Sequence, residues 1–229
     1  MSPSSKSNNH LLAALPAKTY KDLFAKLERV DLNFGEIVYG PGDVLSHIYF
    51  VESGIVSMLA VIDAHSTLEV GMVGVEGMVG LPVFLGKKHS SNRAVVQGDG
   101  HALRIKAADF NAECGAGNGL SQVMLAFTYS ILVQIARSAV CNRFHDIESR
   151  LARWLMMTQD RMRSTEFRIT QDFLSYMLGV RREAVNKAAT SLQQRKLISY
   201  VRGHMSVIDR KGLEALACNC YEFLASAEV

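Results

Sequence analysis

The most constraining feature of this sequence is a stretch from Phe167 to Ile208 in which helical periodicity gives way to alternation. Thr170 can cap a first helix, and Gly179 can supply the tight turn before a second one. One face of the second helix is predicted to be buried in a hydrophobic core, because its apolar residues recur at helical spacing: Val185, Ala188, Ala189 and Leu192. Apolar residues then alternate on both sides of Arg202-Gly203-His204, as in a hairpin. The stretch therefore predicts a winged helix-turn-helix.

The same region holds the excess positive charge of the chain. Between Arg161 and Lys211 there are eleven Lys or Arg and four acidic residues, whereas the formal net charge of the whole chain is +3. A concentrated basic face suits DNA phosphates, although a solvated basic face alone has no such meaning. Charge, turn, helix pair and wing together favour DNA binding.

The remaining length allows a second domain. The chain has 229 residues, of which 48% are hydrophobic, so two domains could each bury a core. No run of 18 apolar residues is present, and the first residues lack the apolar core of a signal peptide. We expect a cytoplasmic protein without a membrane segment.

Four cysteines are scattered through the sequence: Cys114, Cys141, Cys218 and Cys220. None precedes Cys114, so an N-terminal iron–sulfur site is missing. Cys218 and Cys220 form a C-x-C pair, the one candidate for a metal or redox site. Because a tetrahedral site needs two further ligands, we interpret the pair as reduced thiols and predict no metal site, with a redox role left open.

The first half of the chain reads as a short helix followed by a β domain. A helix is predicted from about Pro16 to Val30, and the residues before it are expected to be frayed. From Leu32 to Ile105, short apolar segments alternate with turn sequences such as Pro41-Gly42-Asp43. This spacing is typical of a closed all-β sandwich or barrel.

A long helix is predicted from about Leu120 to Asp146, where Pro and Gly are absent. Apolar residues cover most of the circumference of this helix. One side can therefore pack on the β domain, and another apolar side needs a second partner to cover it. We expect the same helix of a second subunit there, with four residues of the dimer helix singled out: Met124, Phe127, Ile131 and Ile135. Burial between two domains of a monomer is the alternative. Trp154, on the next amphipathic helix, is expected to anchor a core.

A β domain, a long helix and a C-terminal winged helix follow one another in this order in the cyclic-AMP receptor protein and fumarate–nitrate regulator (Crp/Fnr) family. The sequence resembles that family from about residue 20 to 210, most specifically in ITQDFLSYMLGVRREAVNKAATSLQQRKLI. The resemblance implies an α+β fold: a double-stranded β-helix of the cyclic-nucleotide-binding jelly-roll type in 1–115, a dimerisation helix in 116–147 and a winged helix-turn-helix in 148–229. It implies a bacterial, homodimeric transcription regulator of palindromic double-stranded DNA, with RNA polymerase as a further partner.

The resemblance also assigns roles within the winged helix. The predicted base-reading residues are Arg182, Glu183, Asn186 and Lys187. Arginine can donate to guanine O6 and N7, and a carboxylate can accept from cytosine N4. The predicted phosphate contacts are Thr170, Gln171, Arg181, Arg202 and His204. Arg181 departs from the family, since many relatives have a capping Ser or Thr there.

The effector pocket that the resemblance implies would involve Gly80, Leu81, Arg93 and Ala94. Cyclic AMP is a poor candidate ligand, because the carboxylate that holds ribose and the hydroxyl beside the arginine are missing. The polar pair that would meet the base is replaced by Ile135-Ala136. Another small anion bound through Arg93, Lys87 and Lys88, or no ligand at all, remains open.

Two other function classes were weighed. A ligand-sensing module could use the winged helix as a protein contact, in which case DNA binding would be weak and insensitive to salt. An enzyme is disfavoured, because the sequence offers no nucleophile–base–orienter set and no Gly-rich phosphate loop.

Overall fold

A computed structural model of the chain describes residues 7–63 and 66–227. The contacts divide the chain into two compact units. The first unit contains the described residues up to Met58 together with Met72–Leu132. The second contains Leu59–Gly71 and the described residues from Val133 onward.

The chain enters the first unit through two short helices, α1 (His10–Ala13) and α2 (Ala17–Phe24). Asn9 caps α1 and is fully buried, and its side-chain amide donates to Val51 O at 2.8 Å and to Gly77 O at 2.7 Å. The prediction of a frayed stretch is therefore wrong from residue 7 onward, while residues 1–6 lie outside the described residues. The predicted helix to Val30 is also too long, because residues from Glu28 pair in the sheet instead.

Six strands form the sheet of this part of the chain: β1 (Glu28–Leu32), β2 (Ile37–Tyr39), β3 (His47–Val61), β4 (Thr67–Val73), β5 (Met78–Val79) and β6 (Arg93–Lys106). The strand order is β1-β6-β3-β4, with β2 also paired to β6 and β5 to β3. The predicted all-β region is confirmed. Its strands are less uniform than expected, because β3 and β6 each run through several of the short apolar segments.

The core of the first unit lies between these strands and two further helices, α3 (Leu81–Phe84) and α4 (Ala107–Gly115). Phe50 of β3 and Phe110 of α4 are fully buried, with ring centroids 6.3 Å apart. β3 and β6 approach so closely that a Cβ on Gly100 would lie 2.1 Å from Ser53 O. Glycine is therefore required at this crossing.

The predicted long helix is α5 (Leu120–Phe144). Met124, Phe127 and Ile131 are 0%, 5% and 5% exposed, and the Phe127 ring fills the space where a Cβ on Gly77 would be. Assigning these three residues to a dimer face was wrong, because they pack inside the first unit of their own chain. Ile135 is 37% exposed and remains accessible.

The length and composition of α5 would also suffice for crossing a membrane, and 28% of its most apolar 18-residue window is buried. The core helix of a water-soluble protein can pass the same test, so length and composition alone assign no membrane role. The low buried fraction instead shows that much of this apolar helix lies on the surface of the single chain.

The second unit is built around α6 (Ile147–Met162), which Asp146 caps by accepting from Ser149 N at 3.0 Å. Trp154 is 1% exposed, and its indole N–H donates to Glu69 Oε1 at 3.1 Å, in agreement with its predicted core position. The elements that follow are β7 (Glu166–Arg168), α7 (Gln171–Leu178), α8 (Arg182–Gln194), β8 (Ile198–Val201), β9 (His204–Val207), α9 (Arg210–Leu216) and α10 (Cys220–Ala227). The three strands form a sheet of order β7-β9-β8. Two separate helices, α9 and α10, follow the last strand.

Candidate nucleic-acid interface

The turn between α7 and α8 has the geometry that the sequence predicts. Thr170 accepts from Phe173 N at 3.1 Å and so caps α7. Gly179 ends the helix with φ of 61°, and its N–H donates to Ser175 O. A Cβ at Gly179 would lie 2.7 Å from Leu68 Cδ1. Backbone conformation and close packing therefore both favour glycine in this turn.

The two faces of α8 separate as predicted. The four core residues are at most 2% exposed: Val185, Ala188, Ala189 and Leu192. The four residues predicted to read bases are exposed: Arg182, Glu183, Asn186 and Lys187. The structure thus places these four side chains together on the solvent face of α8.

Arg182 is partly ordered by α7. Its Nε donates to Gln171 Oε1 at 3.2 Å, and its Nη1 lies 3.6 Å from Asp172 Oδ1. Gln171 in turn donates to Asn186 Oδ1 at 3.0 Å. Since the Arg182 and Asp172 side chains are 61% and 60% exposed, their ion pair contributes less than about 1 kcal/mol. Arg182 is therefore oriented by these contacts yet can leave them readily.

The wing is closed by a two-residue turn. Val201 and His204 pair across the strands, and the turn residues Arg202 and Gly203 have φ of 49° and 81°. Two positive φ values define the type I′ hairpin turn, whose twist matches that of the flanking strands. The wing tip therefore presents Arg202 on a short, tightly defined loop.

A recess of about 340 Å³ connects the wing to the helix pair. It brings together one predicted base-reading residue and three predicted phosphate contacts: Arg182, Thr170, Gln171 and Arg202. Tyr200 also lines it and donates to Ile169 O at 3.0 Å. Burial raises the pKa of Tyr200. The sequence analysis assigned no functional role to Tyr200, although its hydroxyl could have suggested one.

Arg181 and His204 lie at the two edges of this surface. Arg181 occupies the N-cap position of α8 in an extended conformation, and its side chain makes no capping hydrogen bond. His204 begins β9 and is paired in register with Arg168 of β7. Both side chains are exposed, so both predicted phosphate contacts are accessible.

Two of the arginines in the basic stretch from Arg161 to Lys211 form contacts within the protein. Arg161 is only 8% exposed and donates to Met157 O at 3.3 Å. Arg210 donates to Asp160 Oδ1 at 2.7 Å and to Tyr221 Oη at 2.9 Å. Arg210 joins α9 to α6, and Arg161 bonds within α6, so the charge available to phosphates is smaller than the count suggested.

The predicted effector residues lie in the first unit, where Gly80 and Leu81 begin α3 and Arg93 and Ala94 begin β6. Tyr39 joins these two points, because it pairs with Ala94 and its hydroxyl accepts from the Gly80 backbone N–H. Burial raises the pKa of Tyr39 to about 12. The Gly80 backbone N–H is thus already used by a protein hydroxyl.

The polar groups near this region fit a cyclic nucleotide poorly. Ser57 donates to Gln97 Oε1 at 2.6 Å, and both residues are at least 96% buried, so they satisfy each other inside the sheet. Lys87 and Lys88 are exposed in the loop after α3. Neither observation supplies the carboxylate or hydroxyl that the sequence lacks.

Comparison with known proteins identifies two regions. A family model described as a cyclic nucleotide-binding domain matches residues 29–116, and one described as a Crp-like helix-turn-helix domain matches residues 149–216. Comparison with the sequences of curated proteins gave no significant match.

Similar solved structures share the fold at low identity. A Crp/Fnr-family transcriptional regulator from Eubacterium rectale has 16% identity and a TM-score of 0.72, covering 91% of this chain and 98% of that chain. The c-di-GMP-responsive global regulator CLP from Xanthomonas campestris has 19% identity, a TM-score of 0.69 and coverages of 84% and 99%. A Crp/Fnr-family regulator from Thermus thermophilus has 21% identity, a TM-score of 0.68 and coverages of 83% and 98%.

Proposed function

This chain belongs to the Crp/Fnr family of bacterial transcription regulators, and we propose that it acts as a homodimer that reads a palindromic DNA operator through α8. The observation that carries the proposal is the division of α8 into a buried apolar face and an exposed polar face beside the wing. A helix presented in this way can enter the major groove while the wing and α7 meet the backbone.

The proposed base contacts are made by Arg182, Glu183, Asn186 and Lys187. Arg182 can donate two hydrogen bonds to guanine, and Asn186 can pair with the N6 and N7 edge of adenine. Their exposure supports this role. Thr170, Gln171, Arg181, Arg202 and His204 surround them and are proposed to fix the register through phosphates.

The proposed dimer uses an exposed seam along α5. Leu125, Tyr129 and Leu132 are 58%, 68% and 59% exposed, and their 4-3 spacing continues to exposed Ala136 and Ala139. Apolar residues that alternate three and four apart form the contact line of two supercoiled helices. This seam replaces Met124, Phe127 and Ile131, which are buried within their own chain, whereas Ile135 is 37% exposed.

Regulation is proposed to involve a small ligand other than cyclic AMP. Tyr39 occupies the backbone donor of Gly80, and the residues that would hold ribose are missing. The relative CLP is c-di-GMP responsive, so a similar fold serves a different ligand in that protein. The regulator is further proposed to work in the cytoplasm with RNA polymerase, and no catalytic role is assigned to it.

The test is selection of DNA from a random library by the purified, effector-free protein, followed by anisotropy titration on the best site at two salt concentrations. We expect a palindrome with half-sites about 10 bp apart, because two recognition helices related by a two-fold axis meet successive major grooves. R182A should relax the base preference at one position of each half-site and leave the others unchanged.

The control variant is R29A, which removes an exposed arginine of β1 in the first unit. It should leave both affinity and base preference unchanged. Uniform weakening across all sequences by R182A would refute the base-reading role. Affinity that does not fall with salt would favour the alternative in which the winged helix contacts a protein.

A further inference from the structure

Four potential metal ligands converge in the second unit, away from α8. Cys141 and His145 lie near the end of α5, Cys218 lies between α9 and α10, and Cys220 begins α10. Their ligand atoms all lie within 4.8 Å of one another. Cys141 Sγ is 3.5 Å from Cys218 Sγ, and Cys220 Sγ is 3.7 Å from His145 Nδ1. The three cysteines are at most 8% exposed, and His145 is half-buried.

Local structure explains this convergence. His145 directly follows α5, and its backbone N–H donates to Cys141 O at 3.1 Å, so the two side chains are held one helical turn apart. Cys218 and Cys220 are brought to that face by a turn in which Tyr221 N donates to Cys218 O at 3.0 Å. The Tyr221 hydroxyl donates to Asp160 Oδ2 at 2.8 Å and so anchors the turn to α6. The ligand set is therefore positioned by contacts that do not involve sulfur.

We propose that Cys141, His145, Cys218 and Cys220 bind one zinc ion in a tetrahedral Cys3His site. Zinc–sulfur bonds of about 2.3 Å in tetrahedral geometry place neighbouring sulfur atoms about 3.8 Å apart, which agrees with the observed separations. A [4Fe–4S] cluster fits poorly, because each of its thiolates binds a different iron and the ligands must lie farther apart. Three deprotonated thiols and one neutral imidazole are the donors that structural zinc prefers.

The surroundings supply a compensating charge. Three thiolates and one Zn²⁺ carry a net charge of −1, which a buried cation can neutralise. Arg153 of α6 is 7% exposed, its Nη1 lies 3.6 Å from Met157 Sδ, and its Nε has no hydrogen-bond partner among the described residues. The hydrogen bond with Cys218 and burial raise the pKa of Cys141, and burial raises the pKa of Cys220, while the positive charge of Arg153 acts in the opposite direction on both. An otherwise costly buried arginine is explained if it faces an anionic metal site.

Zinc binds cysteine as the thiolate, so binding of the ion would release the remaining thiol protons to solvent. The bound ion would join the end of α5 to the start of α10.

The test uses the full-length protein purified under reducing conditions. Zinc per chain is measured by elemental analysis, and the metal-free protein is then titrated with Co²⁺. We expect one metal ion per chain and the intense visible bands of tetrahedral cobalt, accompanied by sulfur-to-cobalt charge transfer. C218S and H145A should lose this spectrum. C114S is the matched control, since Cys114 lies on α4 of the first unit, and it should keep both the stoichiometry and the spectrum.

A second measurement does not depend on any variant. Adding Zn²⁺ to the metal-free protein should raise its thermal unfolding midpoint, read by the fluorescence of Trp154 in the same unit, because the assembled site of the folded chain binds the metal more tightly than the unfolded chain does. A reduced protein with four free thiols that binds no Co²⁺ would overturn the proposal. So would a Cys141–Cys218 disulfide found by mass spectrometry in the protein as purified, or a bound cluster containing iron and sulfide.

Discussion

Replacing Gly179 by alanine should destabilise the second unit by about 1.5–3.5 kcal/mol. Two effects contribute. A non-glycine residue at φ of 61° costs about 1–2 kcal/mol. The new Cβ would also lie 2.7 Å from Leu68 Cδ1, and Leu68 must rotate away from its preferred conformation at a cost of about 0.5–1.5 kcal/mol.

The structure offers a matched control for separating these effects. Gly203 has φ of 81°, yet a Cβ there meets its nearest atom, Ile169 O, at 3.6 Å, an ordinary contact. G203A should therefore lower the free energy of unfolding only by the cost of a non-glycine residue at positive φ. In the L68A variant, the added Cβ no longer meets the Leu68 side chain. The decrease in the free energy of unfolding caused by G179A should then equal the decrease caused by G203A to within about 0.5 kcal/mol, the usual error when the effects of two mutations are added.

The assay is urea unfolding followed by the fluorescence of Trp154, the single tryptophan of the chain, which is buried in this unit. The midpoint should shift without a change in slope, so that the difference is one of stability. If G179A proved no more destabilising than G203A, the close packing of the turn on Leu68 would be refuted. If neither variant lost stability, the left-handed conformation of both glycines would be refuted.

Three further outcomes are expected. R202A, which removes a proposed phosphate contact, should reduce the slope of log K against log salt for DNA binding by about 1 for each subunit, whereas a slope equal to that of wild type would exclude the contact. L132E should convert the dimer to monomers in sedimentation velocity, whereas L85E, which changes a leucine of similar exposure, should not. Equal effects of the two variants would contradict the proposed dimer contact along α5. Folding raises the pKa of Tyr39 from 10.0 to about 12. Between pH 10 and pH 12 the phenol therefore ionises in the unfolded chain but not in the folded chain, so the free energy of unfolding falls as pH rises. Y39F should lessen that decline in the free energy of unfolding, and an identical decline in both proteins would contradict the buried phenol.

The winged helix was predictable from sequence because its signals are local. Thr170 as a cap, Gly179 as a turn and the apolar spacing of α8 each act within a few residues, and all three have the predicted geometry. The wing turn was predicted from Gly203 alone. That Arg202 also takes a positive φ depends on the twist of the flanking strands, which residue preference does not encode.

The faces of α5 and the cysteine cluster were not predictable in the same way. A helix that is apolar around most of its girth gives no periodic signal for which side packs on its own chain, and Phe127 turned inward because Gly77 leaves room for its ring. The cluster unites Cys141 with Cys218 across 77 positions of sequence. The C-x-C pair was not predicted to be a metal site because no further ligands lay nearby in the sequence. Cys141 and His145 supply those ligands, and their four-residue spacing on a predicted helix was the signal that could have revealed them.

The contact between Arg182 and Asp172 has a consequence for selectivity if Arg182 reads a base as proposed. Binding is then an exchange, in which the guanidinium leaves a protein carboxylate and takes a nucleobase in its place. A guanine compensates that loss with two acceptors, whereas a base without them gives Arg182 no reason to leave Asp172. The free protein therefore carries a built-in competitor for its own recognition residue, and a wrong sequence must compete with Asp172 for the guanidinium without offering equivalent hydrogen bonds.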